Sequence, residues 1–128
     1  MSTSTRSGVI DTTTLSPLHY VGVVLAVVSG AIHLWLGVAF APSGLGLSFL
    51  FAGIVFLAAA GAVLVDYRRS TLYRLGVPFV AGQIVLWYVF NFVGGDKSFP
   101  ADVGTLGALD KVAQVLLVVV LVALIQRS

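Results

Sequence analysis

The chain has 128 residues, of which 59% are hydrophobic and only 9% are charged, and its formal net charge is +2. In a soluble domain about a quarter of the residues are charged, so most of this protein's surface must face lipid. The small net charge and the lack of a basic cluster interleaved with aromatic residues argue against nucleic acid as a partner. No cysteine is present, which excludes disulfides, thiolate metal sites and cysteine nucleophiles.

In chain order, a polar tail rich in serine and threonine precedes four apolar segments. The tail, residues 1–15, lacks the basic and apolar regions of a cleavable signal peptide and is predicted to be disordered. A membrane-spanning helix needs about 20 mostly apolar residues, and four segments within 16–127 satisfy this condition. The predicted transmembrane helices are residues 17–40, 44–65, 72–93 and 106–125.

Serine residues mark three of the predicted helix starts. Ser16 followed by Pro17 has the pattern of an N-cap and first helical residue, and Ser43 and Ser70 are the predicted caps of the second and third helices. The sequence APSG between the first two segments indicates a tight turn. The predicted fold class is therefore all-α: a polytopic membrane protein with four helices in an up-down bundle.

The positive charges predict how this bundle lies in the cell membrane. The loop between the second and third segments contains Arg68, Arg69 and Arg74, and it would share its side of the membrane with both termini, which carry Arg6 and Arg127. Lys97 and Lys111 would lie on the other side. Since basic residues favour the cytoplasm, the predicted orientation is N-in and C-in, with a basic cytoplasmic loop that can contact anionic lipid headgroups.

The few polar residues of the spans are predicted to lie at one depth. At about 1.5 Å per residue, His33 lies about 24 Å along the first helix, in the outer leaflet, and residues of the other helices reach the same level. Asp110 belongs to this level because the apolar stretch that follows Lys111 is too short to span a membrane alone. The predicted outer-leaflet polar cluster is His33, Ser48, Trp87, Tyr88, Asn91, Asp110 and Gln114.

His33 is the residue of this cluster with the widest range of roles. It shares a helix face with Ala26, Gly30 and Gly37, so the simplest interpretation is a packing contact whose polar ring hydrogen-bonds across to another helix. A cofactor ligand and a pH-responsive group are the alternatives. We expect the ring to face the bundle interior, because a lipid-facing ring would leave its N–H without a partner. The expected partners are Asp110 and Asn91.

Four stretches of the sequence are similar to a known family. They are AIHLWLGV in the first span, VDYRRSTLYRLGVPF leading into the third span, QIVLWYVFNF at the end of the third span and LDKVAQVLLVV in the fourth. The chain resembles small uncharacterised four-helix membrane proteins of haloarchaeal type over about residues 16–127. The resemblance implies a membrane location and four helices. It implies no activity, cofactor or catalytic residue.

The sequence leaves three functions open. The first is a non-catalytic accessory or assembly subunit, or a helix bundle that associates with copies of itself. For such a protein we expect no catalytic residue, metal site or cofactor, and the bilayer is the main partner. The second is a haem protein, because His19 and His33 lie on nearly the same side of the first helix. A second axial ligand would then have to come from a homodimer. The third is a small-solute binder or channel that uses the polar cluster.

Overall fold

The computed structural model describes residues 15–99, 101 and 104–127, and these residues form an all-α structure of four long helices. The helices are α1 (Pro17–Phe40), α2 (Gly44–Leu64), α3 (Arg69–Tyr88), which continues as a π-helical turn (Val89–Val93), and α4 (Thr105–Arg127). Each is long and apolar enough to cross a membrane. The predicted helix number is thus confirmed. The predicted disordered tail, apart from Leu15, lies outside the described residues.

The starts of α1 and α2 follow from local sequence signals. Ser16 is the N-cap of α1, Pro17 is its first residue, and the His19 ring reaches back to accept a hydrogen bond from the Ser16 backbone N–H at 3.0 Å. Ser43 caps α2 because its hydroxyl oxygen accepts from the Gly46 backbone N–H at 3.1 Å. Both serines occupy the predicted N-cap positions, and the Ser43 hydroxyl satisfies a backbone donor that the first helical turn leaves open.

The predicted start of α3 is wrong. The helix begins at Arg69 rather than residue 72, and its N-cap is Arg68, not Ser70. Asp66 and Arg68 both have positive φ angles, 58° and 50°, so the chain reverses within three residues and re-enters a helix at once. The far end differs as well, because the last residues of the predicted span form the π-helical turn instead of a regular α-helix.

The helices are not packed as four equal neighbours. α1 packs against α2 and α4, and α3 packs mainly against α4, whereas α2 and α3 touch only weakly. The core consists of small and aliphatic residues around Phe56, and a second cluster lies around Tyr73. We call the end that holds Ser16, the α2–α3 loop and Arg127 the basic end. The polar side chains of the core lie towards the opposite end.

Glycine allows α1 and α2 to approach closely. A Cβ atom added at Gly53 would lie 2.8 Å from the Leu34 side chain and 2.9 Å from the Gly30 carbonyl oxygen. A Cβ atom at Gly30 would in turn lie 3.2 Å from the Gly53 carbonyl oxygen. The small-residue face of α1 is therefore used inside the molecule, against α2, where close backbone approach increases van der Waals contact.

Candidate functional site: a buried polar network

Ser29 and Asp110 join α1 to α4 inside the bundle. The Ser29 hydroxyl donates a hydrogen bond to Asp110 Oδ1 at 2.6 Å. The two residues are 0% and 3% exposed, so neither group has water as an alternative partner. In an apolar surrounding such a bond is strengthened by the low dielectric, and an unmade one is costly. The pair is the centre of the polar network described below.

His33 lies one helical turn after Ser29 and is bonded within its own helix. Its Nδ1 atom lies 2.8 Å from the Ser29 carbonyl oxygen, which can only accept, so Nδ1 carries the proton. The same nitrogen lies 3.7 Å from Asp110 Oδ1. The Phe49 and Phe56 rings pack on the imidazole, with centroid distances of 5.8 and 5.4 Å. His33 therefore faces the bundle interior and lies beside a carboxylate without bonding directly to it.

Lys111 extends the network along α4. Its Nζ atom donates to Asp110 Oδ2 at 2.8 Å and to Gln114 Oε1 at 2.7 Å. It also lies over the Trp87 ring, 5.4 Å from the centroid, which is within the range of a cation–π contact. The ammonium group thus has a carboxylate, an amide oxygen and an aromatic face around it, although its side chain is 14% exposed.

Gln114 carries the network on to α3. Its Nε2 atom donates to Gln83 Oε1 at 2.7 Å, and Gln114 itself is fully buried. A continuous chain of hydrogen bonds thus runs from α1 through α4 to α3 and joins the first helix of the chain to the last two. We refer to Ser29, His33, Gln83, Asp110, Lys111 and Gln114 as the polar network.

The network is charge-balanced. The Asp110 carboxylate accepts at both oxygens, from Ser29 and from Lys111, and the lysine charge offsets the carboxylate charge. Moving an ion pair out of water is costly, and that cost is offset only when further hydrogen bonds satisfy both groups, as they do here. Intramembrane ionisable residues generally face a bundle interior and pair with one another. The arrangement fits a structural role in which these hydrogen bonds hold the helices together.

The structure brings four of the seven residues of the predicted cluster together and separates three from them. His33, Trp87, Asp110 and Gln114 meet in or beside the network. The remaining three are Ser48, Tyr88 and Asn91. Ser48 is exposed and donates to the Gly44 carbonyl oxygen of its own helix, and Asn91 donates to the Trp87 carbonyl oxygen. Tyr88 is 42% exposed and packs on Phe92 and Phe99. Depth along a helix does not determine which side of the helix a residue faces, and the three separated residues differ from the others in that respect.

Three members of the network were missing from the predicted cluster: Ser29, Gln83 and Lys111. Helical spacing is the signal that could have found them. Ser29 precedes His33 by four residues, Lys111 precedes Gln114 by three, and Gln83 precedes Trp87 by four, so each lies on the same face as a predicted member.

The basic loop has its own contacts. Arg68 donates from Nε to the Tyr67 hydroxyl at 3.1 Å, and Arg69 donates from Nε to the Val63 carbonyl oxygen at 2.7 Å. Arg69 also pairs with Asp66, with a distance of 3.3 Å between Nη1 and Oδ1, while Arg74 is exposed on α3. The three predicted arginines thus differ, because Arg69 is anchored to the loop and Arg74 projects from the helix.

Two cavities open towards the basic end, and one of them extends along the bundle to Phe56, whose ring also packs on His33. One is an apolar cleft of about 420 Å³ between α2 and α3, and the other is a polar pocket of about 410 Å³ beside it. His19, Tyr73 and Leu124 line both of them, and their linings include no member of the network. Among the described residues, no group of three or more His, Cys, Asp or Glu side chains could hold a metal ion.

Comparison with known proteins identifies a family and no closer relative. Residues 4–125 match a family of unknown function (DUF7475). No curated protein and no solved structure matches the chain. The match covers α1 to α3 in full, α4 up to residue 125, and every residue of the polar network, so the chain belongs to this family of unknown function, DUF7475.

Proposed function

We propose that this chain is a non-catalytic multi-pass membrane protein that works by association in the bilayer, as a subunit of a larger complex or with copies of itself. The proposal rests on the exposed apolar surface of α3. In the most apolar part of α3 only 6% of the residues are buried, against 33%, 22% and 39% for α1, α2 and α4. A helix with so little contact inside its own protein has most of its apolar surface available to another helix or to lipid.

One side of α3 suits contact with another helix. Gly82, Val85, Leu86 and Val89 recur at helical spacing, and we call them the α3 face. Val85 and Leu86 are 59% and 53% exposed, and a Cβ atom added at Gly82 would meet no atom within 4 Å. Small residues flanked by aliphatic ones allow two membrane helices to approach closely.

The polar network supports the non-catalytic part of the proposal. Its carboxylate, ammonium and amide groups bond to one another, and no member of the network lines either of the two cavities. A catalytic site needs polar groups that face a space where a substrate can bind. These groups instead hold three helices together.

Photo-crosslinking from the α3 face tests the proposal. The chain has no cysteine, so Val85→Cys provides a single attachment point for a benzophenone maleimide in native membranes. We expect a crosslinked product containing a second copy or another membrane protein. Ile54→Cys on α2, at 61% exposed, is the matched control and should yield lipid adducts only. Equal protein crosslinking at both positions, or none at Val85, would contradict the proposal.

The proposed location is the cell membrane, with both termini in the cytoplasm, on the basis of the arginine distribution. Ser70→Cys and Ser98→Cys place single thiols at opposite ends of the bundle, and both residues are exposed. A maleimide that cannot cross the membrane should label the Ser98 variant in intact cells and both variants after permeabilisation. Labelling of the Ser70 variant alone in intact cells would show that the orientation is the opposite of the one proposed. The haloarchaeal affiliation is likewise part of the proposal and rests on the sequence resemblance.

The haem and solute alternatives have less support. His33 is only 5% exposed and lies between two phenylalanine rings, whereas a haem shared by two copies needs a histidine at the surface where they meet. His19 Nδ1 accepts from the Ser16 backbone N–H, so a neutral ring carries its hydrogen on Nε2 and neither nitrogen has a free lone pair for an iron. A solute pathway through the network would require space lined by these groups, and no member of the network lines either cavity.

A further inference from the structure

The cavities at the basic end are arranged for an amphiphile. The apolar cleft between α2 and α3 is lined by aliphatic and aromatic side chains such as Val55, Ala59 and Phe79. The polar pocket adjoins it and is lined by Ser16, His19, Arg69, Ser70, Tyr73, Leu124 and Arg127. Each has the volume of an ordinary small-molecule site, and because they share three lining residues one ligand can occupy both.

The Tyr73 hydroxyl indicates that the polar pocket takes a ligand. Tyr73 is 4% exposed, lines both cavities, and its hydroxyl has no hydrogen-bond partner among the described residues. Buried hydroxyl groups almost always have a partner, so an unpaired one on a side chain that lines a pocket needs an explanation. An acceptor atom of a bound molecule would supply the missing bond.

The charges of the pocket specify an anion. Arg69 and Arg127 are two positive side chains in the lining, and Asp66, which pairs with Arg69, is the acidic group that faces them. After Arg69 is paired with Asp66, the lining keeps one net positive charge, that of Arg127. His19 Nδ1 accepts from the Ser16 backbone N–H, so a neutral ring carries its hydrogen on Nε2 and presents a further donor. Guanidinium, phenol and imidazole donors together suit a phosphate group.

We propose that the two cavities form a binding site for one anionic phospholipid, with its phosphate in the polar pocket and an acyl chain in the apolar cleft. The weak contact between α2 and α3 leaves the cleft open along the bundle, as entry of a lipid chain requires. The polar pocket lies at the helix ends, at the level of the lipid headgroups. This inference does not depend on the association proposed for α3, since it uses other residues.

Native mass spectrometry of the full chain in a neutral detergent tests the site. We expect retention of phosphatidylglycerol at least about tenfold more strongly than phosphatidylcholine with the same acyl chains, because the pocket has a net positive charge. Glycerol phosphate and inorganic phosphate are the probes for a free anion and should compete weakly, because they leave the cleft empty. Full competition by either would overturn the lipid assignment, and equal retention of the two lipids would overturn the anion assignment.

Two substitutions test the polar half without disturbing the fold. Arg127→Gln, at the exposed end of α4, should lower phosphatidylglycerol binding about tenfold or more, as for loss of a charge-assisted bond. Tyr73→Phe removes only the hydroxyl that lacks a partner and should lower binding about two- to tenfold with no loss of thermal stability. Arg74→Gln and Tyr67→Phe, which line neither cavity, are the matched controls and should bind as the unsubstituted protein does.

A third substitution tests the apolar half. Ala59→Phe places a ring in the cleft and should reduce phosphatidylglycerol retention about tenfold while glycerol phosphate binding stays unchanged. Circular dichroism and gel filtration establish that each variant is folded. Unchanged lipid binding in Arg127→Gln and Tyr73→Phe, both folded, would overturn the proposal, as would unchanged lipid binding in a folded Ala59→Phe.

Discussion

The hydroxyl of Ser29 donates a 2.6 Å hydrogen bond to Asp110 Oδ1, and this bond joins the first and last of the four helices across 81 residues of sequence. Both groups are buried, and the carboxylate takes its second bond from Lys111. The relationship makes α1 and α4 neighbours, and through Gln114 it extends to α3. Stability of the bundle should therefore depend on a few polar side chains out of proportion to their number.

We predict that Ser29→Ala lowers the free energy of unfolding by about 1–3 kcal/mol, because Asp110 Oδ1 loses its donor in a buried position. Reversible unfolding in mixed detergent micelles measures the change. Ser48→Ala is the matched control, since that hydroxyl is exposed and bonds to its own helix, and its effect should stay within about 0.5 kcal/mol. Equal effects at the two serines would contradict the role of the network.

The Asp110–Lys111 pair should behave as a coupled unit. We predict that Asp110→Asn alone costs about 3–5 kcal/mol, because it leaves the lysine charge without its carboxylate inside the bundle. Adding Lys111→Gln should recover part of the loss, with a coupling energy of about 1–3 kcal/mol in a double-mutant cycle.

The loop ion pair provides the comparison for that cycle. Asp66→Asn removes the partner of Arg69 where Asp66 is 41% exposed, and we expect a loss of only about 0–1 kcal/mol because solvent screens the pair. Additive losses at Asp110 and Lys111 would mean that the two side chains act independently and that their close contact contributes little.

His33→Leu distinguishes a packing residue from a functional one. We predict a loss of about 1 kcal/mol in bundle stability, because the ring makes one hydrogen bond to its own helix and packs on two aromatic rings that leucine can also contact. Visible absorption of the purified unsubstituted protein should show no Soret band. A pigment that disappears in His33→Leu would instead establish a cofactor role.

The Gly30–Gly53 contact predicts which glycine is indispensable for packing. Gly53→Val should lower the free energy of unfolding by about 1–3 kcal/mol or more, since its Cβ would lie 2.8 Å from Leu34 and 2.9 Å from a backbone oxygen. Gly61→Ala is the control on the same helix, because a Cβ there meets no atom within 4 Å. That substitution should be neutral or stabilising by up to about 1 kcal/mol. A thermal unfolding series in detergent compares the two.

Local sequence signals were enough to predict the number of helices, the bounds of α1, the start of α2 and the separation of polar from apolar segments. These features follow from local physics: a run of about 20 apolar residues spans a membrane, and a serine before such a run caps its first turn. Ser16 and Ser43 needed no distant partner to do this. The predicted and observed starts of α3 differ by three residues because Asp66 and Arg68 adopt positive φ angles. Their residue types do not predict this backbone conformation.

Which polar groups meet depends on how the helices pack against one another. Depth along a helix is proportional to sequence distance, so His33, Asp110 and Gln114 could be placed at one level, but the rotation of each helix depends on packing against its neighbours. That rotation places Ser48 at the surface and Ser29 inside, although both are serines on apolar helices. The gap between α2 and α3 at the basic end has the same origin, because it depends on how α1 and α4 hold the other two helices apart.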